Sequence, residues 1–213
     1  YSLNIQRTHS ERLMPALVRL LAEAGVEPKE LDLIAVSIGP GSFTGLRIGV
    51  ATAKGLAYAL RKPLVAVGSL DALAYGASLG CGYICPLIDA RRGRVYTALY
   101  RSKGWGTEPT RLTGYEVAEV AHLPAFLAGC TQPVAFTGDG ALANRSALLE
   151  LFGEGAQIIP SALGSPRASW VAALGEQRWE RGERQDPFSL LPLYVKPPAT
   201  SARKNERAGG GER

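Results

Sequence analysis

The sequence predicts an α/β protein of 213 residues, organised as two half-domains of related design. Three observations carry this. Leu33 to Ile38 is an apolar run interrupted only by Ser37, as in a strand covered on both faces, and it leads through a glycine-rich turn into a helix. The same order recurs at Val134–Leu142. The length suits two lobes of roughly 100 residues each.

Elements follow in chain order. Tyr1–Gln6 alternates apolar and polar and predicts a short strand. Thr8-His9-Ser10-Glu11 has capping-box spacing, and Leu13, Leu17, Leu20 and Ala24 continue at helical spacing up to Gly25. Pro15 should kink this helix without ending it. After the strand Leu33–Ile38, Gly39–Gly45 forms a tight loop and Thr44–Leu60 a helix. Leu64–Val67 is a second buried strand, with a short helix at Leu70–Tyr75. Ile84–Ala90 and Val95–Tyr100 make a hairpin through Arg91-Arg92-Gly93-Arg94. Ser102–Gly114 is polar and predicts loop, and Val117–Gly129 holds a short helix near Pro124. Then come a strand (Val134–Thr137), a helix (Leu142–Phe152) and a short strand (Gln157–Ile159). Arg167–Gly182 is an amphipathic helix presenting Trp170, Leu174 and Trp179, and Leu190–Val195 is extended. Residues 199–213 are polar and glycine-rich and predict a disordered tail. The expected lobes are 1–78 and 79–198.

Composition narrows the function classes. Apolar residues make up 46% and charged residues 20%, an ordinary globular balance. The net charge of +5 permits contact with nucleic acid without arguing for it. No apolar run reaches the roughly 18 residues of a membrane span, and no charged-then-apolar leader opens the sequence. The three cysteines form no C-x-x-C pair and suit small buried thiols in a reducing compartment better than a disulfide or metal site. A cytoplasmic setting is expected.

The loop Gly39-Pro-Gly-Ser-Phe-Thr-Gly45 is the most unusual segment. Gly39, Gly41, Ser42 and Thr44 are candidate phosphate or nucleotide contacts, because glycines admit close backbone approach and a helix N-terminus favours anions. No Lys-Ser/Thr pair follows, so it is not a Walker A loop. A tight strand-to-helix turn explains the same glycines, and both readings stay open. Along the next helix Gly45, Gly49, Ala53 and Ala57 recur every fourth residue and make one face nearly smooth. Its other faces carry Leu46, Ile48, Val50, Leu56 and Leu60, with only Arg47 and Lys54 charged. A helix so apolar must be covered nearly all round, by its own lobe or by a partner.

Catalytic constellations are thin. His9 and His122 are the two histidines, both in turn contexts, and no zinc spacing, nucleophile elbow or Cys–His context occurs. Asp89 and Asp139 end apolar strands, where ligand sites lie in α/β sheets, yet each is equally a capping acid. Arg91, Arg92 and Arg94 suit a solvated hairpin, and Trp170 and Trp179 suit core.

The segment from Ile34 through Gly39-Pro-Gly-Ser-Phe-Thr-Gly45 to Leu56 resembles the signature of the TsaB (YeaZ) family. Matches in the same order are His9-Ser-Glu-Arg-Leu13, Pro63-Leu-Val65, Ser69-Leu-Asp-Ala-Leu73, Asp89–Tyr96, Gly138-Asp-Gly140 and Leu191–Pro197. The resemblance implies a two-lobed actin-like ATPase superfamily fold with mixed sheets. It implies a non-catalytic subunit that dimerises with TsaD, the transferase that forms threonylcarbamoyladenosine beside the tRNA anticodon, with TsaE joining the assembly. The tRNA contact would be indirect. The two first-lobe helices would meet the partner, through Leu13 and Leu17 and through Gly45, Arg47, Gly49, Ala53 and Ala57. No cofactor would be bound by the subunit alone; ATP and a divalent metal would belong to the complex. TsaD carries a metal-binding His-x-x-x-His pair where Ser69 and Leu73 stand here, and a hydroxyl with an alkyl group cannot replace two imidazoles. An ATP-using transferase or hydrolase, and a homodimer pairing through the same helical face, are the competing readings. Family members open with a strand ending Asp-Thr-Ser, absent here. With Tyr1 first and Met14 the single methionine, the expectation is an N-terminally truncated first lobe whose Leu33–Ile38 edge is open.

Overall fold

A computed structural model describes residues 9–78, 82–131 and 133–195, with side chains from residue 12 onward. The expected strand Tyr1–Gln6, Thr8 of the capping turn, Cys81 and the tail lie outside the described residues.

The first lobe is a β-α-β unit. Helix α1 (His9–Ala24) contains Pro15 and ends where Gly25 turns to φ +67°. Strand β1 (Ile34–Gly39) feeds α2 (Phe43–Leu60), which returns to β2 (Leu64–Gly68), parallel to β1 in register Ile34↔Leu64. Continuous apolar strands of this kind need cover on both faces. On one face, Val50, Ala53 and Ala57 of α2 pack with Val36 and Leu64. The other face is covered from far along the chain: Trp170, Val171 and Leu174 of α7 (Ala168–Glu180) pack with Val67, Ala72 and Leu73. Gly175 lets α7 sit close, since a Cβ there would lie 2.5 Å from the Cβ of Ala35. Contacts of the last helix therefore cross the boundary expected at residues 78/79. Beyond α7, the Gln185 amide donates to the Leu64 carbonyl (2.9 Å) and the Leu193 amide to the Ile38 carbonyl (2.8 Å), so residues 185–193 form a strap along this lobe.

Helix α3 (Ser69–Gly76) follows β2 directly and joins the lobes, with Leu70 and Ala74 packed against Ile84 and Tyr100. The second sheet is mixed. Strand β3 (Tyr83–Arg91) runs antiparallel to β4 (Arg94–Thr97) and to β5 (Tyr100–Arg101), so the expected strand Val95–Tyr100 is interrupted at Ala98–Leu99. β6 (Thr110–Arg111), from the expected loop, adds to β5, and β7 (Glu116–Glu119), just ahead of the helix expected near Pro124, adds to β4. α4 (Leu123–Phe126) covers the sheet. β8 (Val134–Thr137) is parallel to β3, and β9 (Ala156–Ile158) parallel to β8. The helix expected over Leu142–Phe152 is two helices, α5 (Asp139–Ala143) and α6 (Arg145–Phe152). They part at Asn144, whose side-chain amide donates 2.8 Å to the Gly140 carbonyl, the competition with helix bonding typical of this residue. Cys85 is fully buried beside the Thr97 hydroxyl at 3.2 Å, and burial pushes its thiol up to about 12. Among the described residues, no helix is long and apolar enough to cross a membrane.

Candidate partner face, cleft and charged junction

Helix α2 divides its small residues between two jobs. Ala53 and Ala57 belong to the chain's own core, which corrects their expected place on an open docking stripe: the four-residue spacing that makes them a smooth line also points them at β1 and β2. Gly45 and Gly49 remain half-exposed. A Cβ built at Gly49 meets nothing within 4 Å, so no contact among the described residues explains that glycine. Arg47 is exposed, its guanidinium 4.2 Å from the Phe43 ring centroid and its Nε 3.2 Å from the Tyr194 hydroxyl. Lys54 is occupied, donating to the Phe188 and Leu190 carbonyls of the strap at 3.2 and 2.9 Å.

Around these residues lies an apolar surface that periodicity alone did not isolate. Leu13 and Leu17 of α1 are half-buried toward α2, whereas Met14 and Val18, one residue along each turn, face solvent, Val18 at 62% exposure. Tyr58 of α2 is 65% exposed and meets Phe188 edge-on at 5.3 Å, and Phe188 and Leu191 of the strap are themselves exposed. A groove of about 1200 Å³ runs beside this surface, bounded by Leu13, Leu17, Val36, Gly49, Leu56 and Trp179.

The glycine-rich loop opens onto a separate cleft of about 550 Å³ between the lobes, lined by Gly41, Ser42, Gly45, Ser69, Asp139 and Ser165 among others. Gly39 is required by packing: at φ +115° its Cβ would lie 2.7 Å from the Leu193 carbonyl oxygen. Ser42 caps α2, its hydroxyl accepting from the Gly45 amide at 3.4 Å, while Thr44 is exposed in the first turn. Asp139 and Asp89 prove to be turn acceptors. Asp139 takes the Asp89 and Gly140 amides at 3.1 and 2.8 Å, and Asp89 takes the Arg91 amide at 2.8 Å. The cleft lining holds one carboxylate and, among the described residues, no lysine or arginine, so its donors are backbone amides and hydroxyls. Ser69 is buried on Ser37 (2.8 Å), and Leu73 is fully buried in the core beside α7. Among the described residues, no three His, Cys, Asp or Glu side chains converge as a metal-ligand set.

A charged junction between the lobes went unread in the sequence. Asp71 of α3 is 7% exposed and accepts from Arg178 (2.8 Å), the Tyr100 hydroxyl (2.7 Å) and the Gly68 amide (3.3 Å). Arg178 of α7 also donates to the Ala66 carbonyl (2.9 Å) and pairs with Glu108 (2.5 Å), which in turn pairs with Arg181. Burial alone would raise the Asp71 carboxyl, but bonding and attraction from Arg178, with the Tyr100 and Tyr115 hydroxyls, hold it below the ordinary carboxylate value. Tyr100 and Tyr115 are pushed well up, by burial first and by the Asp71 charge second, and stay neutral donors. Apart from the Gly68 amide, each partner of Asp71 lies in another segment, so no local motif could have announced this cluster.

The comparisons with known proteins agree in direction. A family described as TsaD, tRNA N6-adenosine threonylcarbamoyltransferase, matches residues 4–201. The Bacillus subtilis tRNA threonylcarbamoyladenosine biosynthesis protein TsaB is 36% identical over 196 residues, 92% of this chain and 83% of that protein. A tRNA N6-adenosine threonylcarbamoyltransferase of Syntrophobacter fumaroxidans is 39% identical over 106 residues, 47% of this chain and 30% of its own. A Pseudomonas aeruginosa crystal structure, described as an uncharacterized protein with similarity to peptidase YEAZ, superposes with TM-score 0.76 at 31% identity, covering 90% of this chain and 86% of that one.

Proposed function

This chain belongs to the TsaB (YeaZ) family, and on that premise we propose that it serves tRNA threonylcarbamoyladenosine biosynthesis as a non-catalytic subunit docked on a TsaD-type transferase. The observation that carries the reading is the uncovered apolar surface of α1 and α2. Met14 and Val18 of α1 and Tyr58 of α2 stand in solvent, and on the flank of α2 that faces Leu13 and Leu17 no contact among the described residues requires the missing side chain of Gly49. A glycine on a helix face lets a second helix approach closely, and exposed side chains elsewhere on the two helices supply further area to bury. The partner would supply the metal-binding imidazoles, because Ser69 and Leu73 are committed to internal contacts. ATP and the divalent metal would enter with TsaD and a TsaE-type ATPase. The setting would be the cytoplasm.

The test is the mass of the complex formed with a TsaD-type partner. Gly49→Leu should leave this chain folded, because its Cβ has free space, and should abolish pairing. Unchanged complex mass would overturn the interface, and threonylcarbamoyl transfer by the chain alone would overturn the non-catalytic role.

A further inference from the structure

We propose that Trp105 is a stacking platform for an unpaired base of single-stranded RNA. Trp105 is 70% exposed, which is unusual for so large an aromatic ring. It is displayed by a built turn. The Thr107 amide closes the turn on the Gly104 carbonyl at 3.4 Å, and Gly104 and Gly106 take φ +99° and +77° on either side of the ring. The turn is pinned from the body of the protein. Fully buried Ser78 donates to the Gly104 carbonyl at 3.2 Å and bonds the Ser102 hydroxyl at 2.6 Å. From α7, Gln177 grips the other side with both ends of its amide, donating to the Gly106 carbonyl (2.9 Å) and accepting from the Glu108 amide (3.1 Å). A ring held out by five such bonds loses little freedom when something lands on it.

The surroundings favour a base over an apolar pocket on a protein. Between residues 101 and 108 Trp105 is the single apolar side chain, so the segment that displays it is otherwise polar, unlike the apolar stretches that form a protein hot spot. Its chain neighbours include the exposed cations Arg101 and Lys103, and the nearest carboxylate, Glu108, is neutralised by Arg178 and Arg181. One aromatic face with nearby cations is the arrangement that holds a splayed base and its phosphates. The inference rests on the reading that this protein works on tRNA, and it makes direct a contact that the family resemblance alone implies to be indirect.

The test uses the full chain, alone and paired with a TsaD-type protein, and a labelled oligoadenylate of about ten nucleotides. Trp105→Ala should weaken binding by about 5- to 100-fold and Trp105→Phe by less, the range expected of one aromatic stack. Lys103→Ala should lower the salt dependence, and inorganic polyphosphate should bind Trp105→Ala and the parent equally. Unchanged oligoadenylate affinity in Trp105→Ala, or no binding by the parent chain, overturns the proposal. Loss of the partner from Trp105→Ala overturns it in favour of protein docking. Complex mass measured on the same samples separates this outcome from failure of the subunit reading, which Gly49→Leu probes.

Discussion

The junction at Asp71 and the face of α1 and α2 are opposite departures from the rule that charge lies outside and apolar groups inside. At the junction, carboxylates and guanidiniums are taken out of water, but each has a partner within the chain. On the helical face, Met14, Val18 and Tyr58 are left in water with little to cover them. Internal compensation marks a group as belonging to the fold. Its lack marks a surface as belonging to something larger.

The sharpest way to break this contrast is Arg178→Met, which removes the cation shared by Asp71 and Glu108 and leaves them only the half-exposed Arg111 and Arg181. Removing one partner of a buried pair should cost about 3–5 kcal/mol, read as a lower urea midpoint. A cost of a few tenths would mean that the junction contributes nothing to the fold. A smaller effect concerns acid. Asp71 has a folded value below its unfolded one of about 3.9. Its contribution is therefore complete at neutral pH and is lost as pH falls below about 4 through the lower, folded value. Asp71→Asn should flatten the stability profile over that acid window, and an unchanged slope would remove Asp71 as its source. The smallest stability effect belongs to the face. Val18→Ser with Tyr58→Ser should move the isolated chain's stability by no more than about 0.5 kcal/mol. The same pair should weaken partner binding at least about tenfold, measured by titration. If stability fell by more than binding did, the two regions would not differ as argued.

What the sequence could disclose follows the range of the interactions. The β-α-β unit and the β3–β4 hairpin were legible because periodicity and turn chemistry are local. Strand β6 and strand β7 were not, since a two-residue strand and a half-exposed Glu-Val-Ala-Glu carry almost no alternation. The small-residue stripe was seen, but its direction was not: spacing places Ala53 and Ala57 on one line, and only the sheet beneath decides that the line faces inward. Arg178 and Asp71 are 107 positions apart, so their pairing had no sequence signal at all. Trp105 was passed over because a lone aromatic in a polar stretch has no period.

The strap over α2 has a consequence for synthesis on the ribosome. Helix α7 and residues 185–193 close the first lobe, yet they are made more than a hundred residues after β1 and β2. A nascent chain must carry a half-covered parallel sheet until its late segments emerge. Chaperone occupancy during translation should therefore track the completion of the strap, not the emergence of the strands it covers.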